Sequence, residues 1–573
     1  MSGDRGQVSG GRGQVAGITR FGDCAMGDKF DIIRGMKCTY LILAMAPLAA
    51  FGQIINTKAT GEKLDHYWSF GVGAGRVNEG LRYAWHEHLV RANKECGFKY
   101  VRMHDTFNDD MFVAVKQGNG KVVFNWQYVD EVYDRMLAEG VRPFVEFSFF
   151  PSCIAAENSR RQMWYRNCVT IDRAKLPLWG ELCEAFVRHL VERYGLEEIQ
   201  KWYFEVWNEP NLYYGFFEGT KSDYFELYRV SANAVKKVDK TLKVGGPATS
   251  NFIADLRHEG EVQDNNKSVF YPQETINNQK WKGVWIEEFL AFCEKEKLPV
   301  DFVSCHAYPT DYALDPVSGR GKDAIRYVHS LKDDLTWLNA TVKKSAYPNA
   351  EIHITEWSTS PSSRDAMHDN LPPAAYIVKA VLENIGLADS LMYWTFTDIF
   401  EEKGGGTEIF HGSFGMLNFQ GIAKPSYHAY RMLNALGDEV IYNEDPICVT
   451  RETKSGKISA LAYAYPKSYE SHVPASKDVK GCMKEPPTAL DFELTGLKSG
   501  ATFEIETLDD KHGNAIRAWE AMGRPHSPSI AQTNAIKAAG EATQKEIVMA
   551  DKEGRLTIKR EIAPWSLVLI KEM

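Results

Sequence analysis

From about residue 70 to residue 430 the chain alternates short apolar runs, rich in β-branched and aromatic residues, with longer stretches whose apolar positions recur every three or four residues. The first pattern suits strands buried on both faces and the second suits helices packed by one stripe, so repeated βα units are predicted. Strands are expected at Phe70–Ala74, Tyr100–His104, Pro143–Phe149, Trp202–Trp207, Lys243–Pro247, Phe302–His306, Ile352–Glu356 and Ser390–Phe396. Between them, Leu178–Tyr194 carries Leu182, Phe186, Leu190 and Val191 at helical spacing, and Tyr224–Val238 repeats the pattern with Leu227, Val230 and Val235. Eight strands with helical crossovers close naturally into a (β/α)8 TIM barrel. The competing architecture, a doubly wound open sheet, would want a nucleotide-binding loop after its first strand. Phe70-Gly-Val-Gly-Ala-Gly-Arg76 is glycine-rich but lacks the G-x-G-x-x-G spacing.

After about Asp438 the texture changes. Short alternating runs at Ile458–Tyr463, Leu490–Leu494, Phe503–Thr507, Leu556–Ile558 and Ser566–Ile570 are separated by Gly, Pro, Lys and Asp turns, which reads as an antiparallel β-sandwich. Ile54–Trp68 is strand-like and is expected to add a strand to it. The organisation expected is a leader and signal peptide over 1–52, a joining strand over 53–68, the catalytic barrel over 69–437 and the sandwich over 438–573.

The leader expectation rests on Met36-Lys37, an apolar run from Cys38 to Phe51, and small residues before Gln53. That run is shorter than the roughly 20 residues a membrane span needs, so a secreted or periplasmic protein with no span in its mature form is expected. Eight cysteines follow Gln53 with no C-x-x-C pair, which argues against a zinc ribbon or redox motif. Cys153 and Cys168 are the nearest pair for a disulfide, and buried thiols are the simpler reading. A net charge of −9 offers nothing to nucleic acid or an anionic membrane. The oligomeric state is left open by the sequence.

Chemistry is concentrated in two segments. In Trp202-Tyr-Phe-Glu-Val-Trp-Asn-Glu-Pro-Asn-Leu212 an apolar strand delivers Asn208 and Glu209 at its carboxyl end, where TIM-barrel active sites lie, and Pro210 stops the strand. In Ile352-His-Ile-Thr-Glu-Trp357 a second strand ends in Glu356. Counted along the barrel these are strands four and seven. Two carboxylates facing one another are what glycoside hydrolysis needs: one protonates the leaving oxygen, and the other attacks the anomeric carbon or activates water. No metal ligand cluster with suitable sequence spacing appears, and no cofactor is expected.

With Tyr100-Val-Arg-Met-His104, Ser304-Cys-His-Ala-Tyr-Pro309, Tyr393-Trp-Thr-Phe-Thr-Asp-Ile-Phe-Glu-Glu402, Phe410-His-Gly-Ser-Phe-Gly415 and Ala518-Trp-Glu-Ala-Met-Gly-Arg-Pro525, these segments resemble glycoside hydrolase family 39, the group of β-xylosidases and α-L-iduronidases, from about residue 55 to the C-terminus. The resemblance implies a retaining mechanism with Glu209 as acid/base and Glu356 as nucleophile. It further implies that Asn208 bonds the sugar 2-OH, that His104 and His306 line the pocket, and that Tyr308 orients the nucleophile or a hydroxyl. Trp394 would form a stacking floor, Glu401 and Glu402 an acidic pair on sugar hydroxyls, and Trp164 and Tyr165 a wall of the mouth.

A uronide needs cations in the pocket, whereas Ala307-Tyr308 follows the strand-six His and Glu401-Glu402 would repel a carboxylate. An exo-acting β-xylosidase on an oligosaccharide or glycoside is therefore the expected activity. Asp105 stands where xylosidases commonly have Gly, and the loop after Glu356 lacks a Tyr often found there. These departures keep arabinopyranose, glucose and galactose open. Arg364, in that same loop, would be the cation of an iduronidase-like alternative. A non-catalytic sugar-binding barrel would have lost a carboxylate, and an endo-acting relative would have an open cleft. The long stretches Asn251–Lys282 and Glu401–Gly412 suggest a closed pocket instead.

Overall fold

The computed structural model describes residues 52–162, 167–314, 321–402 and 404–573. Eight parallel strands close a barrel: β1 (Gly71–Arg76), β2 (Tyr100–His104), β3 (Arg142–Phe147), β4 (Tyr203–Val206), β5 (Lys243–Thr249), β6 (Phe302–His306), β7 (Glu351–Trp357) and β8 (Ser390–Tyr393). They neighbour one another in chain order, and β8 pairs back onto β1 through Tyr393 and Val72. A helix crosses back after every strand, from Tyr83–Cys96 after β1 to Pro425–Asn434 after β8. The TIM barrel read from the hydrophobic pattern is the fold. Local signals agree with the packing: Thr220 and Asp223 form a capping box at the start of Lys221–Val238, and Gly97 closes the first helix in the left-handed region.

Alternate strand residues face the barrel interior, so each strand contributes one side chain per layer. The floor is aromatic: Phe144, Tyr203, Phe302 and Met392 pack together, with Phe144 and Tyr203 stacked at 5.0 Å. The next layer is charged. Arg102, Glu146 and Glu205 lie two residues beyond Tyr100, Phe144 and Tyr203 and are fully buried. Above it opens the mouth of the barrel. The glycines of β1 belong to this layering and not to a nucleotide loop. A Cβ on Gly71 would sit 3.0 Å from the Met392 sulfur, one on Gly73 2.3 Å from the Trp394 ring, and one on Gly75 2.8 Å from Phe400.

The rest of the described chain forms two sheets over a second core. Glu62–Lys63, Glu439–Glu444, Ile447–Arg451, Ile458–Tyr463, Leu567–Glu572, Thr502–Leu508 and Gln544–Met549 make a seven-stranded antiparallel sheet in that spatial order. Gln53–Asn56, Thr488–Thr495 and Leu556–Ile562 make a three-stranded mixed sheet, the first strand parallel and the third antiparallel to the second. Ile55, Val449, Ala460, Phe492, Phe503, Ile558 and Val568 from both sheets fill the space between them. The segment after Gln53 thus feeds a short strand into each sheet, where the sequence suggested a single joining strand. The strands at 439–444 and 544–549 escaped prediction because they bury almost nothing, and the helices Ala515–Ala521 and Ile530–Glu541 interrupt what reads as a pure sandwich. Of the second helix only Ile536 and Gly540 are buried, too few to mark a stripe.

Residues 1–51, with the expected leader and signal peptide, and Trp164 and Tyr165 lie outside the described residues. Among the described residues no helix is long and apolar enough to cross a membrane. Cys96, Cys183, Cys293, Cys305 and Cys448 are buried in the core, and the Cys153 sulfur contacts the Ala114 carbonyl at 3.7 Å.

Gly73→Ala is expected to overpack the barrel against Trp394 and lower stability by about 1–3 kcal/mol. Urea melts measure the cost, and an unchanged midpoint would mean that β8 can yield at this point.

Candidate active site

Glu356 reaches the interior through an irregularity. Ile352 and Ile354 pack in the outer core, His353 faces the aromatic floor, and Thr355 donates to Glu205 inside the barrel. Strict alternation would send Glu356 out with the isoleucines. Instead β7 slips against β6, where Cys305 pairs with Ile354 but His306 with Glu356. The extra residue re-aims the carboxylate, as bulges beside active sites do. Glu209 is placed by a different device. β4 ends at Val206, earlier than the sequence suggested, because Trp207 and Glu209 take φ of 73° and 43°. The Glu209 N–H donates to the Ala248 carbonyl at 2.9 Å. Left-handed backbone at such residues costs on the order of 1–3 kcal/mol each, and persists where surrounding packing over-determines it.

The two carboxylates sit in unlike surroundings. Glu356 accepts from the Arg102 guanidinium at 2.8 Å on one oxygen and from the Tyr308 hydroxyl at 2.9 Å on the other. Among the described residues no arginine is paired directly with Glu209, although the Arg102 charge reaches it. Its Oε1 lies 2.8 Å from His306 Nδ1, and burial pushes its pKa up to about 7. Burial also lowers His104 and His306 to about 4, so both rings are neutral at pH 7. His104 Nδ1 pairs with Glu146 at 2.9 Å, and its Nε2 lies 3.6 Å from Glu356. Asn208 accepts from Arg102 at 2.9 Å through its carbonyl oxygen, and its buried amide nitrogen has no partner among the described residues. A polar group that hydroxyls can satisfy is therefore held ready beside Glu209.

Glu209, His306 and Glu356 bring ligand atoms within 4.8 Å of one another, a cluster that sequence spacing did not reveal. In principle three such groups hold a cation. Here Arg102 already supplies the positive charge at Glu356, so the donor set fits a metal poorly.

A cavity of about 400 Å³ opens over these groups. Its lining includes His104, Glu209, Tyr308, Glu356, Trp394 and Glu402. Trp394 lies with its ring centre 4.7 Å from that of His104. Loop residues after β5, among them Asn251, Arg257, His258 and Asn265, close one side. Glu401 differs from its neighbour: it is absent from the cavity lining and pairs with Arg76 at 3.4 Å and with Arg82. Arg364 is spent on backbone carbonyls, including that of Gly404 at 2.9 Å. Arg257 does line the cavity, but it is paired with Asp255 at 2.6 Å and Asp311 at 2.8 Å. Sequence reasoning missed Arg102, Glu146, Glu205 and Arg257. The first stands inside a quoted motif, and an Arg between two apolar strand residues was the available signal.

An eight-stranded barrel with two buried acids, one just after β4 and one on β7, the latter beside a cation and the former in a neutral histidine-lined niche, defines the class of two-carboxylate glycosidases. The chain matches the model of glycosyl hydrolases family 39 over residues 53–271 and 278–557, and it belongs to that family. It is 33% identical over 490 residues to a β-xylosidase of Geobacillus stearothermophilus, covering 83% of this chain and 87% of that protein. To a β-xylosidase of Caldicellulosiruptor saccharolyticus it is 33% identical over 515 residues, 89% and 95% of the two chains. The crystal structure of a monomeric β-xylosidase from Caulobacter crescentus CB15 matches with a TM-score of 0.77 at 29% identity, covering 91% of this chain and 99% of that one.

Arg102→Met is expected to lower stability by about 3–5 kcal/mol and abolish hydrolysis, because it strands Glu146, Glu205 and Glu356 without their cation. Denaturant unfolding followed beside activity checks both, and a stable, active variant would refute this account of the buried layer.

Proposed function

We propose that the protein is a retaining, exo-acting β-xylosidase in which Glu209 is the acid/base and Glu356 the nucleophile. The observation that carries the reading is the spacing and asymmetry of the pair. Oxygens of the two acids come within 4.8 Å. Acids whose oxygens approach this closely suit double displacement, which sets the carboxyl groups about 5–5.5 Å apart, better than inversion, which sets them about 6.5–9.5 Å apart to admit a water. In the first step the Glu356 carboxylate forms a bond to the anomeric carbon as the glycosidic C–O bond breaks, and the Glu209 proton goes to the leaving oxygen. In the second, Glu209 takes a proton from water, and that water's oxygen displaces Glu356 to release the sugar with its configuration retained. A general acid must hold its proton near working pH, and the burial of Glu209 suits it to that task.

The neutral glycone is supported by charge. Glu402 is the carboxylate on the wall, and Arg257, the one Lys or Arg among the described residues of the lining, is compensated by two aspartates. Arg364 serves backbone carbonyls, so the iduronidase-like alternative lacks the cation it requires. In this reading His104 and Tyr308 bond the glycone from the cavity lining, the unpartnered Asn208 amide reaches it from just behind that lining, and Trp394 stacks beneath it, while His306, expected on the wall, is fully buried off the lining and holds Glu209 instead. The closed side wall after β5 favours release of terminal sugars. We also propose that the segment from Met36 to Gln53 exports the enzyme; the mature N-terminus is then expected near Gln53, and N-terminal sequencing of the expressed protein decides it.

The test is hydrolysis of nitrophenyl β-xyloside, α-L-arabinopyranoside, β-glucoside, β-galactoside and α-L-iduronide. β-Xyloside is expected to turn over fastest, Glu356→Ala to be inactive, and Glu209→Ala with azide to yield a β-glycosyl azide. Fastest turnover of the iduronide would overturn the neutral glycone, and an α-azide would overturn retention. Because Glu209 must be protonated, kcat/KM is expected to fall as pH rises through about 7. That limb should vanish in Glu209→Gln assayed with an activated aryl leaving group, and its persistence there would assign it to another residue.

A further inference from the structure

Six titratable side chains converge just outside the sugar cavity without lining it. Arg76, the last residue of β1, is 1% exposed. Its guanidinium lies 2.7 Å from Asp110, 3.4 Å from Glu401 and 3.6 Å from Asp105, the residue that follows β2. Arg82 holds the other oxygen of Glu401. Beneath them the fully buried Glu79 accepts the Arg76 N–H on one oxygen and the Glu401 N–H on the other, each at 3.0 Å. Glu401 is thereby fixed at its backbone and at both carboxylate oxygens.

The neighbouring Glu402 faces other company. It lines the cavity with Tyr308, Trp394 and Glu356, and its charge is felt at the Tyr308 hydroxyl. On its far side Arg364 donates to the carbonyls of Glu402 and Gly404 at 3.3 and 2.9 Å. Glu402 thus follows a residue held by two arginines and the Glu79 carboxyl, and its own carbonyl is held by a third arginine.

We propose that Glu401 is a positioning residue: clamped by Arg76 and Arg82, it holds Glu402 against the glycone and does not itself bond the sugar. This rests on the glycosidase reading above. Two chemical points favour a clamp. A carboxylate whose oxygens both face guanidinium groups has its strongest acceptor directions already used. A site also gains accuracy when the group that touches substrate is held by partners that do not. Asp105 joins the same clamp, since its carboxylate is fully buried and Arg76 is the cation beside it. The Arg76 guanidinium therefore links the carboxyl ends of β1 and β2 to the loop after β8, and the acidic wall of the pocket inherits its place from strands on the opposite side of the barrel seam.

A double-mutant cycle separates a clamp from a second sugar ligand. Glu401→Gln, Glu402→Gln and the double variant would be assayed on whichever neutral glycoside the wild type cleaves fastest. Each single change is expected to raise KM by about tenfold, the size of one lost charged hydrogen bond, with kcat within about threefold. In the Glu402→Gln background, Glu401→Gln should then change KM by less than about twofold, because the group it positions is gone. Arg82→Ala, a milder cut at a half-exposed side chain, should raise KM in the same direction. Effects of Glu401→Gln and Glu402→Gln that multiply would make Glu401 an independent ligand and overturn the clamp, as would a Glu401→Gln enzyme with unchanged KM. A wild type that cleaves no glycoside would instead sink the glycosidase reading, so the two failures are distinct.

Discussion

The guanidinium of Arg102 lies in the middle of the barrel, and the geometry of the site depends on it. Removing an arginine from water costs several kcal/mol even after relaxation, so the charge persists only where partners take up its donors. Here Nε meets Glu205 on β4, Nη2 meets Glu146 on β3 and Asn208 after β4, and Nη1 meets Glu356 on β7. Three other strands are thereby tied to β2 through one planar fork, which fixes directions as well as distances. Three carboxylates around one cation leave an excess of negative charge. Burial relieves part of it by raising Glu146 to about 7, while a hydroxyl from Ser148 and the ring of His104 share its oxygens.

From that layer upward the site is built by departures from regular strand geometry. Glu356 is turned inward by a register slip, and Glu209 by left-handed backbone at itself and at Trp207. Asp105, Ala248 and Asn251, at the ends of β2 and β5, also have positive φ. Strained positions grouped at one face of a barrel are stable only because the opposite layers are rigid, here an aromatic floor and an ionic lattice. The reward is that the acids face one another before substrate arrives, so little reorganisation remains for the reaction itself.

What the sequence disclosed follows from which physics leaves a periodic trace. β2 and β6 are found at their expected residues because both are buried on two faces and read as apolar runs around one central polar residue, closed by a histidine. Glu209 and Glu356 were legible as carboxylates that end such runs. Two features left no trace. Alternation would have sent Glu356 outward, so its inward aim became visible only with the register of β6 and β7. Adjacent acids such as Glu401 and Glu402 are indistinguishable in a string, and only the arginines of distant segments separate the one outside the cavity from the one on its wall. The purpose of the β1 glycines was hidden for a related reason: it lies in the bulk of Met392, Trp394 and Phe400, about three hundred residues later.

The same separation of roles runs through the whole mouth. Arginine is abundant around it, yet each guanidinium is committed to protein acceptors: Arg102 to Glu356, Arg76 and Arg82 to Glu401, Arg257 to Asp255 and Asp311, Arg364 to carbonyls. Cations used as scaffold are compensated, so they shape the cavity without making it attractive to an anion. The surface left for a ligand is a carboxylate, neutral imidazoles, a phenol, an amide and an indole. Such a surface recognises hydroxyl groups and an apolar ring face, and it disfavours a carboxylate on the sugar both by repulsion from Glu402 and by the lack of an uncommitted partner. Selectivity for a neutral glycone is then a consequence of how the barrel satisfies its own buried charges.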